Sequence, residues 1–438
     1  MKVRPLAALL LALARPAFAS EPDVLGQSSE AIAQAGAVAA TAVEFDATYH
    51  NPAGLAFGGA GTFSIGYLRM ESWLHARGST RSIAEPGGMI VGFAEPVPFI
   101  PAGRLRIGMG LWVHPDTLVR VVTRYPDDLY YPLFENRTQR LVVMPAAALR
   151  LWPWLSIGAT VNLLAGLDGP ASASEGPTRA VETTVYEEIY ARASIIAGMR
   201  LQPHPRVSGA LVYRQEFFVP YAIDTRNFVA GNQIDIDVEA HGLYTPHEVS
   251  VATAYEDEVW RAALEFTYER WSDYDEPYVR VESVLPAVGS LVPAPLPSPF
   301  RDTFALRLGG ARTIALAGRN ALKLRAGLAF APTAVLPQSG RQNLLDSDKV
   351  TSALGAGIVL GDLGGHEVRL DTHLSWIHLI PRTYEKVISP LAAAREDPSL
   401  LGDELPSEPG IQISNPGYPR IESSGEILTF GFVMTVRR

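Results

Sequence analysis

The sequence predicts an all-β protein, a 14-stranded antiparallel transmembrane β-barrel whose lumen is plugged by an N-terminal hatch. Three observations lead to this prediction. Many segments alternate apolar and polar residues with a period of two, as β-strands with one apolar face do. These segments are longer than the five or six residues typical of globular strands. The connections between them are short and long in turn, which is typical of outer-membrane barrels.

Residues 1–19 predict a signal peptide. Lys2 and Arg4 form a basic start, residues 6–14 form a short apolar core, and Ala17 and Ala19 frame a cleavage site. No later stretch approaches the roughly 20 apolar residues of a membrane helix. The mature chain is therefore expected to begin near Ser20 and to be exported to the outer membrane.

The overall composition excludes several classes of function. The chain has no cysteine, so thiolate metal sites and cysteine nucleophiles are excluded. Removing the signal peptide leaves 34 of the 37 Lys and Arg against 46 Asp and Glu, a net charge of about −12. This charge argues against nucleic acid as a partner. The histidines lack metal-ligand spacing, and no glycine-rich turn carries the lysine of a phosphate loop, so neither cofactor nor metal is expected.

Residues 20–59 are predicted to form the hatch, and residues 60–438 the barrel. Residues 31–47 are rich in Ala and Gly and lead to the corner Asn51, Pro52, Ala53, Gly54 and Leu55. Proline fixes φ and glycine accepts conformations closed to other residues, so the corner is expected to be rigid. From these residues alone, an ordinary turn before the first strand is an equally good interpretation.

The strand count follows from fifteen alternating segments. They lie near residues 60–70, 88–95, 104–114, 137–150, 154–166, 181–201, 206–216, 233–243, 247–256, 258–270, 302–314, 321–330, 350–360, 366–378 and 424–436. Because bacterial barrels have even strand numbers, we merge 233–243 with 247–256 and predict fourteen. Long connections are then expected at 71–87, 115–136, 167–180, 217–232, 271–301, 331–349 and 379–423. A β-sandwich has no reason to place its long connections at one end.

Three blocks of the sequence resemble the FadL/TodX family of outer-membrane hydrophobic-compound transporters, over nearly the whole mature chain. The first is the Ala-rich segment that ends in the 51–55 corner, which is similar to the family's hatch motif. The second is LEFTYERWSDY at residues 264–274, and the third combines residues 302–310, residues 324–327, Pro332 and Pro337. The chain departs from the family at its end, since Arg438 replaces the usual terminal aromatic residue.

The resemblance implies a hatch-gated barrel that passively transports long-chain fatty acids or similar apolar compounds across the outer membrane. Substrates would leave sideways through a gap beside the hatch. The third strand, 104–114, is where we expect this gap, because Gly108 and Gly110 weaken strand pairing. The expected partners are a hydrophobic small molecule, outer-membrane lipid and the barrel-assembly machinery, and the protein is expected to be a monomer.

Two groups of side chains are candidates for ligand contact. Phe217, Phe218 and Phe228 are apolar candidates in a long loop. Arg307, Lys323 and Arg325 are candidates for binding a substrate carboxylate, although a structural network of lumenal ion pairs is the preferred interpretation. That network would also include Arg369, Glu265, Glu367 and Asp371.

Two other functions remain as alternatives. An open porin for small hydrophilic solutes would use the N-terminal segment only as a strut. A lipid hydrolase in the barrel wall would use Ser375 and His373, two residues apart on one strand face. Polar lumen-facing residues explain that pair more simply, so the protein is not expected to be an enzyme.

Overall fold

The computed structural model describes residues 28–76, 79–81, 87–98, 100, 103–115, 129–134, 141–168, 171–175, 181–185, 188–229, 232–274, 280–285, 289–291, 298–338, 343–385 and 420–438. The predicted signal peptide and residues 20–27 of the predicted hatch lie outside these residues. No helix in the described part of the chain has the length and hydrophobicity needed to cross a membrane.

The helices are short and most of the chain is β-structure. Helices α1 (Ser29–Ile32) and α2 (Ala47–His50) are followed by 3₁₀ helices at Pro52–Phe57 and Trp271–Asp273. The strands are β1 (Thr62–Ala76), β2 (Ser79–Arg81), β3 (Gly87–Pro96), β4 (Leu105–Val113), β5 (Val142–Trp152), β6 (Leu155–Asp168), β7 (Ala171–Glu175), β8 (Val181–Val185), β9 (Glu188–His204), β10 (Val207–Arg214), β11 (Phe217–Val229), β12 (Asn232–Thr245), β13 (Glu248–Glu256), β14 (Trp260–Glu269), β15 (Arg280–Leu285), β16 (Gly289–Leu291), β17 (Thr303–Ala315), β18 (Ala321–Ala331), β19 (Lys349–Leu363), β20 (His366–Glu385) and β21 (Arg420–Arg437).

Fourteen of these strands form a closed antiparallel barrel, which confirms the predicted fold. Around the barrel they follow the order β1, β21, β20, β19, β18, β17, β14, β13, β10, β9, β6, β5, β4 and β3. Closure comes from β1, which pairs with β21 from Thr62↔Arg437 and with β3 from Thr62↔Ala94. The short strand β2 adds three pairs at the far end of β1.

The merging of 233–243 with 247–256 into one strand was wrong. Strand β12 pairs with β11 in a separate six-stranded sheet built from the long connections, whereas β13 belongs to the barrel. The alternation of Ile234, Ile236 and Val238 is the same in either sheet. Only the partner strand decides the assignment, and the sequence does not reveal the partner.

The barrel strands have apolar side chains on their outer face and polar side chains on their inner face, the reverse of a soluble protein. Outward-facing apolar side chains are exposed, including Leu264 at 42%, Leu328 at 56% and Leu354 at 63%. The alternate, inward-facing positions are polar and buried, among them Glu265, Thr267, Arg325, Asp371 and His373. An apolar exterior around a polar interior is the arrangement of a strand barrel surrounded by lipid.

Aromatic side chains mark one end of this apolar band. Trp152 and Trp154 stack at 5.8 Å between ring centroids, beside the tight turn between β5 and β6. Both are about half exposed. Such amphipathic rings favour the membrane–water interface, so the short connections lie at one membrane surface and the long ones at the other.

Candidate functional site

Residues 28–60, which we call the lumenal segment, fold against the inward-facing side chains of the barrel. Ser28 caps α1 by accepting a hydrogen bond from the Ala31 backbone N–H at 3.1 Å. Ser156 of β6 donates to the Ala53 carbonyl, and Glu265 of β14 accepts from the Ala39 N–H. His373 of β20, six strands from β6 around the fourteen-stranded ring, lies 2.9 Å from Ser29 Oγ. Opposite walls therefore hold the same segment, which places it across the lumen.

Asn51 fixes the corner that the sequence singled out. Its Oδ1 accepts from the Ala53 N–H at 3.1 Å, and its Nδ2 donates to the carbonyls of Ala39 at 2.9 Å and Met199 at 3.3 Å. The first bond caps the 3₁₀ helix, where Pro52 occupies the first turn. The other two join the corner to the lumenal segment and to β9, so one amide side chain performs three tasks.

Glycines in the wall make room for the lumenal segment. A Cβ atom on Gly158 of β6 would lie 2.5 Å from the Ala53 nitrogen, and one on Gly198 of β9 would overlap Asn51 Oδ1. A Cβ on Gly327 of β18 would overlap the backbone at Gln34. The wall and the segment therefore fit closely on both sides of the lumen.

The proposed weak point in the third strand does not match the structure. Strand β4 pairs without interruption to β3 and to β5 over its barrel-forming residues. Gly108 and Gly110 instead face the lumen, where added Cβ atoms would lie 3.0 Å from Leu55 and 2.8 Å from Thr48. Because these glycines have no side chain, the lumenal segment can pack closely against β4.

Two carboxylates of the lumenal segment neutralise arginines of the wall. Glu30 lies 2.6 Å from Arg261 and 3.0 Å from Arg325, and Glu44 lies 2.5 Å from Arg369. Burial raises the pKa of Glu30, but the arginines outweigh burial and hold this pKa well below its usual range. Arg369 and Arg437 likewise outweigh burial and lower the pKa of Glu44. Both carboxylates are therefore charged at neutral pH, and charge pairing holds the segment in place.

The predicted cation candidates belong to this network. Arg325 also lies 2.8 Å from Asp371, and Arg307 lies 3.6 Å from Glu265 while donating to Thr267 Oγ1 at 2.8 Å. Lys323 lines a cavity beside the segment together with Glu30, Glu44 and Arg369. This geometry fits the preferred interpretation of structural ion pairs, and substrate binding by these residues stays a prediction.

Three further arginines bind the end of the lumenal segment. They were not among the candidates predicted from the sequence. Arg106 and Arg150 donate to the carbonyls of Gly59 and Ala56. Arg150 and Arg200 both stack on the Phe57 ring, with guanidinium carbons 4.5 Å and 4.7 Å from its centroid. Cations near the last carbonyls of a helix and over an aromatic face are both favourable.

Asp46 is a third carboxylate of the lumenal segment, and it lacks an arginine partner in the described residues. It accepts a hydrogen bond from Ser28 Oγ at 2.9 Å. Burial, with the neighbouring Glu44 and Glu30, raises the pKa of Asp46 to about 7, although Ser28 and Arg369 oppose the increase. Its docked form therefore binds a proton that a solvated aspartate would release.

Docking of the lumenal segment is expected to weaken as pH rises through about 7. In the docked state, with the segment packed in the lumen, Asp46 has a higher pKa than it has when the segment is released into water. A proton on Asp46 therefore stabilises the docked state. This contribution is complete below the pKa of the released form and is lost as the pH rises through the pKa of the docked form. Relative to Asp46→Asn, which cannot titrate, the docking equilibrium should weaken about tenfold between pH 6 and pH 8. Hydrogen exchange of residues 28–58, corrected for the intrinsic rate, measures this change.

The Asp46→Asn comparison also cancels the opposite contribution of His50. Burial lowers the pKa of His50 well below its usual value, and Arg214 and Arg307 lower it further. His50 therefore favours docking as pH rises towards neutrality in both proteins. Equal pH dependence of exchange in the wild type and the variant would refute the role of Asp46.

A pocket lies beyond the lumenal segment, towards the long connections. Tyr49 contributes to it from the segment, and Phe217 is one of its apolar residues. The other apolar residues are Met144, Leu164, Ile196 and Leu243, and the polar ones include Asn162, Ser194, Arg214, Gln215 and Glu248. Arg214 stacks on Tyr49 at 4.4 Å and pairs with Glu248 at 2.6 Å, so its charge is already neutralised.

An aromatic cluster lies among the long connections. Tyr244 stacks on Tyr274 at 4.4 Å between centroids, and Tyr274 stacks on Phe300 at 4.8 Å. Phe218 packs against this cluster, which also contains Tyr130, Leu133, Trp271, Ala334, Val335 and Leu344. Of the three predicted phenylalanines, Phe217 therefore lines the pocket and Phe218 contacts the cluster. The Phe228 side chain lies outside the described residues.

The remaining titratable clusters do not form an open catalytic or metal site in the described residues. His373 Nδ1 lies 2.9 Å from Ser29 Oγ of the lumenal segment, so its hydrogen-bond partner is not Ser375. Glu216, His247 and Asp273 bring three potential ligand atoms within 4.8 Å of one another. However, His247 Nδ1 accepts the Glu216 N–H at 3.2 Å, so neutral His247 carries its proton on the nitrogen that faces the carboxylates.

A scan of protein-family models and a search of curated proteins found no match. Solved structures do match along nearly the whole chain. A Pseudomonas aeruginosa FadL homologue is 12% identical with a TM-score of 0.58, covering 96% of this chain and 99% of its own. The P. putida toluene transporter TodX is 13% identical with a TM-score of 0.58, covering 95% and 99%.

The Ralstonia pickettii toluene transporter TbuX is similar at 14% identity and a TM-score of 0.54, covering 94% of this chain and 98% of its own. At these identities the likeness concerns the fold. The match extends over the barrel and the N-terminal part of the chain together. The protein thus has the fold of the FadL-like hydrocarbon channels, a closed 14-stranded antiparallel β-barrel.

Proposed function

We propose that the protein passively transports hydrophobic small molecules, long-chain fatty acids or similar apolar compounds, across the outer membrane. The observation that carries this proposal is the pocket described above, where Phe217, Met144, Leu164, Ile196 and Leu243 supply apolar surface beside the polar lining and the lumenal segment closes one side. Solved structures with the same fold include proteins described as toluene transporters and a monoaromatic hydrocarbon channel. The lumenal segment serves as the gate, and Asn51, Pro52, Ala53, Gly54 and Leu55 form its rigid corner.

The route needs no energy source. A hydrocarbon chain gains about 0.8 kcal/mol for each CH₂ that leaves water, so the apolar side chains of the pocket, such as Phe217 and Leu243, favour its entry. Below the pocket, the charged contacts of Glu30 and Glu44 with wall arginines make the lumen unfavourable for an apolar molecule. A sideways exit into lipid is therefore the favourable continuation.

The proposal also implies a cellular location and an oligomeric state for the protein. An apolar exterior, a closed barrel and an N-terminal export signal suit a monomer in the outer membrane, inserted by the barrel-assembly machinery. The same features suit an open porin, which would let small hydrophilic solutes pass. The two functions differ in whether the lumen conducts ions.

Conductance and uptake together test the proposed function. We expect little single-channel conductance from the intact protein in a planar bilayer, and a clear opening after deletion of residues 20–56, because the lumenal segment fills the lumen. Cells or liposomes containing the intact protein should take up a radiolabelled long-chain fatty acid or toluene faster than protein-free controls. Heat-modifiable electrophoretic mobility verifies that the truncated barrel is folded.

Either of two results would contradict this function. A large, steady conductance from the intact protein would identify an open porin. Equal uptake with and without the protein, for both the fatty acid and the aromatic hydrocarbon, would exclude hydrophobic transport of these two classes.

A further inference from the structure

The pairing between β5 and β6 is interrupted inside the barrel wall. The register runs through Val143↔Leu163 and resumes at Ala146↔Thr160, with no pairs between them. Pro145 lies in this interval and has no backbone N–H to donate to β6. On its other side, Pro145 remains in register with Met109 of β4. The interruption therefore affects only the pairing between β5 and β6, which we call the seam.

One other break in the described barrel pairings contains a proline, since the β20–β21 register passes from Leu379↔Gly425 to Arg382↔Ser423 around Pro381. That break lies beyond the last β19–β20 pair, Lys349↔Leu379, towards the end of β20. The remaining irregularities are register shifts close to strand ends, at Arg150/Trp152, Val207/Gly209 and Leu360/Leu363. By contrast, Val161, which would face Pro145, is in the middle of β6 and is 42% exposed on the lipid side. The interruption thus lies within the apolar band of the barrel.

The pocket adjoins this seam from the inside. Met144 and Asn162, the unpaired positions next to Pro145 and Val161, both line the pocket. Met144 is fully buried, and Asn162 Oδ1 is buried without a hydrogen-bond partner among the described residues. One layer of side chains therefore separates the pocket from lipid, and it consists of a flexible methionine and an amide whose oxygen is unsatisfied.

The lumenal segment docks on the same strands, on the side of the short connections. Thr160 Oγ1 donates to the Thr48 carbonyl at 2.6 Å, and Ser156 Oγ donates to the Ala53 carbonyl at 2.7 Å. A molecule in the pocket thus meets the segment below it and the seam beside it. Movement of Thr48 would release Thr160, which is the last paired residue of β6 before the interruption.

We propose that the hydrophobic substrate leaves the lumen sideways between β5 and β6, at the interruption around Pro145 and Val161, with Met144 and Asn162 as the side chains that separate. This inference rests on the transport function proposed above and assigns its exit. The missing donor at Pro145 lowers the cost of parting the strands. The unsatisfied Asn162 amide lowers the cost of rotating that side chain away from the pocket.

A disulfide across the seam tests the exit. The chain has no cysteine of its own, so Met144→Cys with Asn162→Cys introduces a single possible pair. Oxidation should lower uptake of the radiolabelled substrate at least tenfold, and dithiothreitol should restore it. Ser64→Cys with Thr435→Cys is the matched control, since these lumen-facing oxygens lie 2.9 Å apart on the uninterrupted β1–β21 pairing. Its oxidation should leave uptake unchanged.

A second variant makes the test independent of disulfide formation. Pro145→Val restores an N–H that can pair with β6 and should slow uptake several-fold, whereas Pro332→Val, outside the barrel strands, should not. Wild-type uptake that persists in Pro145→Val and in the oxidised seam pair would overturn the exit and leave the transport function intact. Absence of uptake by the wild type itself would overturn both.

Discussion

Glu30→Gln is expected to loosen the lumenal segment by about 3–5 kcal/mol, because it removes one partner of a buried ion-pair group. The carboxylate lies 2.6 Å from Arg261, 3.0 Å from Arg325 and 3.5 Å from Arg369. Glutamine has nearly the same shape but leaves three guanidinium groups short of negative charge inside the barrel. Single-channel recording should show openings more than a hundredfold more frequent than in the wild type.

Glu256→Gln is the matched control for this experiment. Glu256 is the second carboxylate on Arg261, at 2.5 Å, but its side chain is 44% exposed. Exposed ion pairs contribute about 0–1 kcal/mol, so this change should alter the opening frequency only slightly. Equal behaviour of the two variants would show that the ion pairs of Glu30 do not hold the segment.

Asn51→Asp is the second change with a large expected effect. The carboxylate keeps the acceptor that caps Ala53 but cannot donate to the carbonyls of Ala39 and Met199, at 2.9 Å and 3.3 Å. Two buried carbonyls would lose their donor and would face a negative charge. We expect docking of the lumenal segment to weaken by about 2–4 kcal/mol. Hydrogen exchange of residues 47–57 should accelerate while the barrel strands stay protected.

Asn320→Asp provides the control for the amide-to-acid change. Asn320 Oδ1 only accepts a hydrogen bond, from the Gly361 N–H at 3.1 Å, so the acid preserves its bond. Exchange in the lumenal segment should be unaffected by this substitution. Unchanged exchange in Asn51→Asp as well would mean that the corner is held by packing alone.

The barrel could be predicted because its physical cause is local. Each strand shows its apolar face within about ten residues, as Leu264, Phe266 and the polar residues between them do. Strand β12 shows the same alternation, yet it joins a sheet outside the barrel. Periodicity indicates that one face of a strand is apolar. It does not indicate whether lipid or another part of the protein covers that face. Strand pairing is a long-range property. The count of fourteen was correct, although residues 233–243 and 181–185 were assigned to barrel strands and belong to the second sheet.

The site was only partly predictable for the same reason. The corner at Asn51 and Pro52 has a local signature, and the structure gives each of these residues a capping role. Glu30 has no local signature in the sequence, because its partners Arg261, Arg325 and Arg369 are distant in sequence. They meet Glu30 only after the barrel closes. Pro145 did carry a readable signal. A proline inside an alternating segment marks a missing ladder donor, but the pocket beside it depends on the fold.

The contacts of the lumenal segment have a consequence for ion selectivity. Arg106, Arg150 and Arg200 are held by the segment's backbone carbonyls, and Arg261, Arg325 and Arg369 lose Glu30 when the segment leaves. The wall carboxylates Asp371, Glu265 and Glu256 remain but are already engaged with arginines. A pore ringed by surplus positive charge favours anions. Opening by displacement of the segment therefore creates an anion-selective pore, and its reversal potential in a chloride gradient distinguishes displacement of the segment from rupture of the membrane.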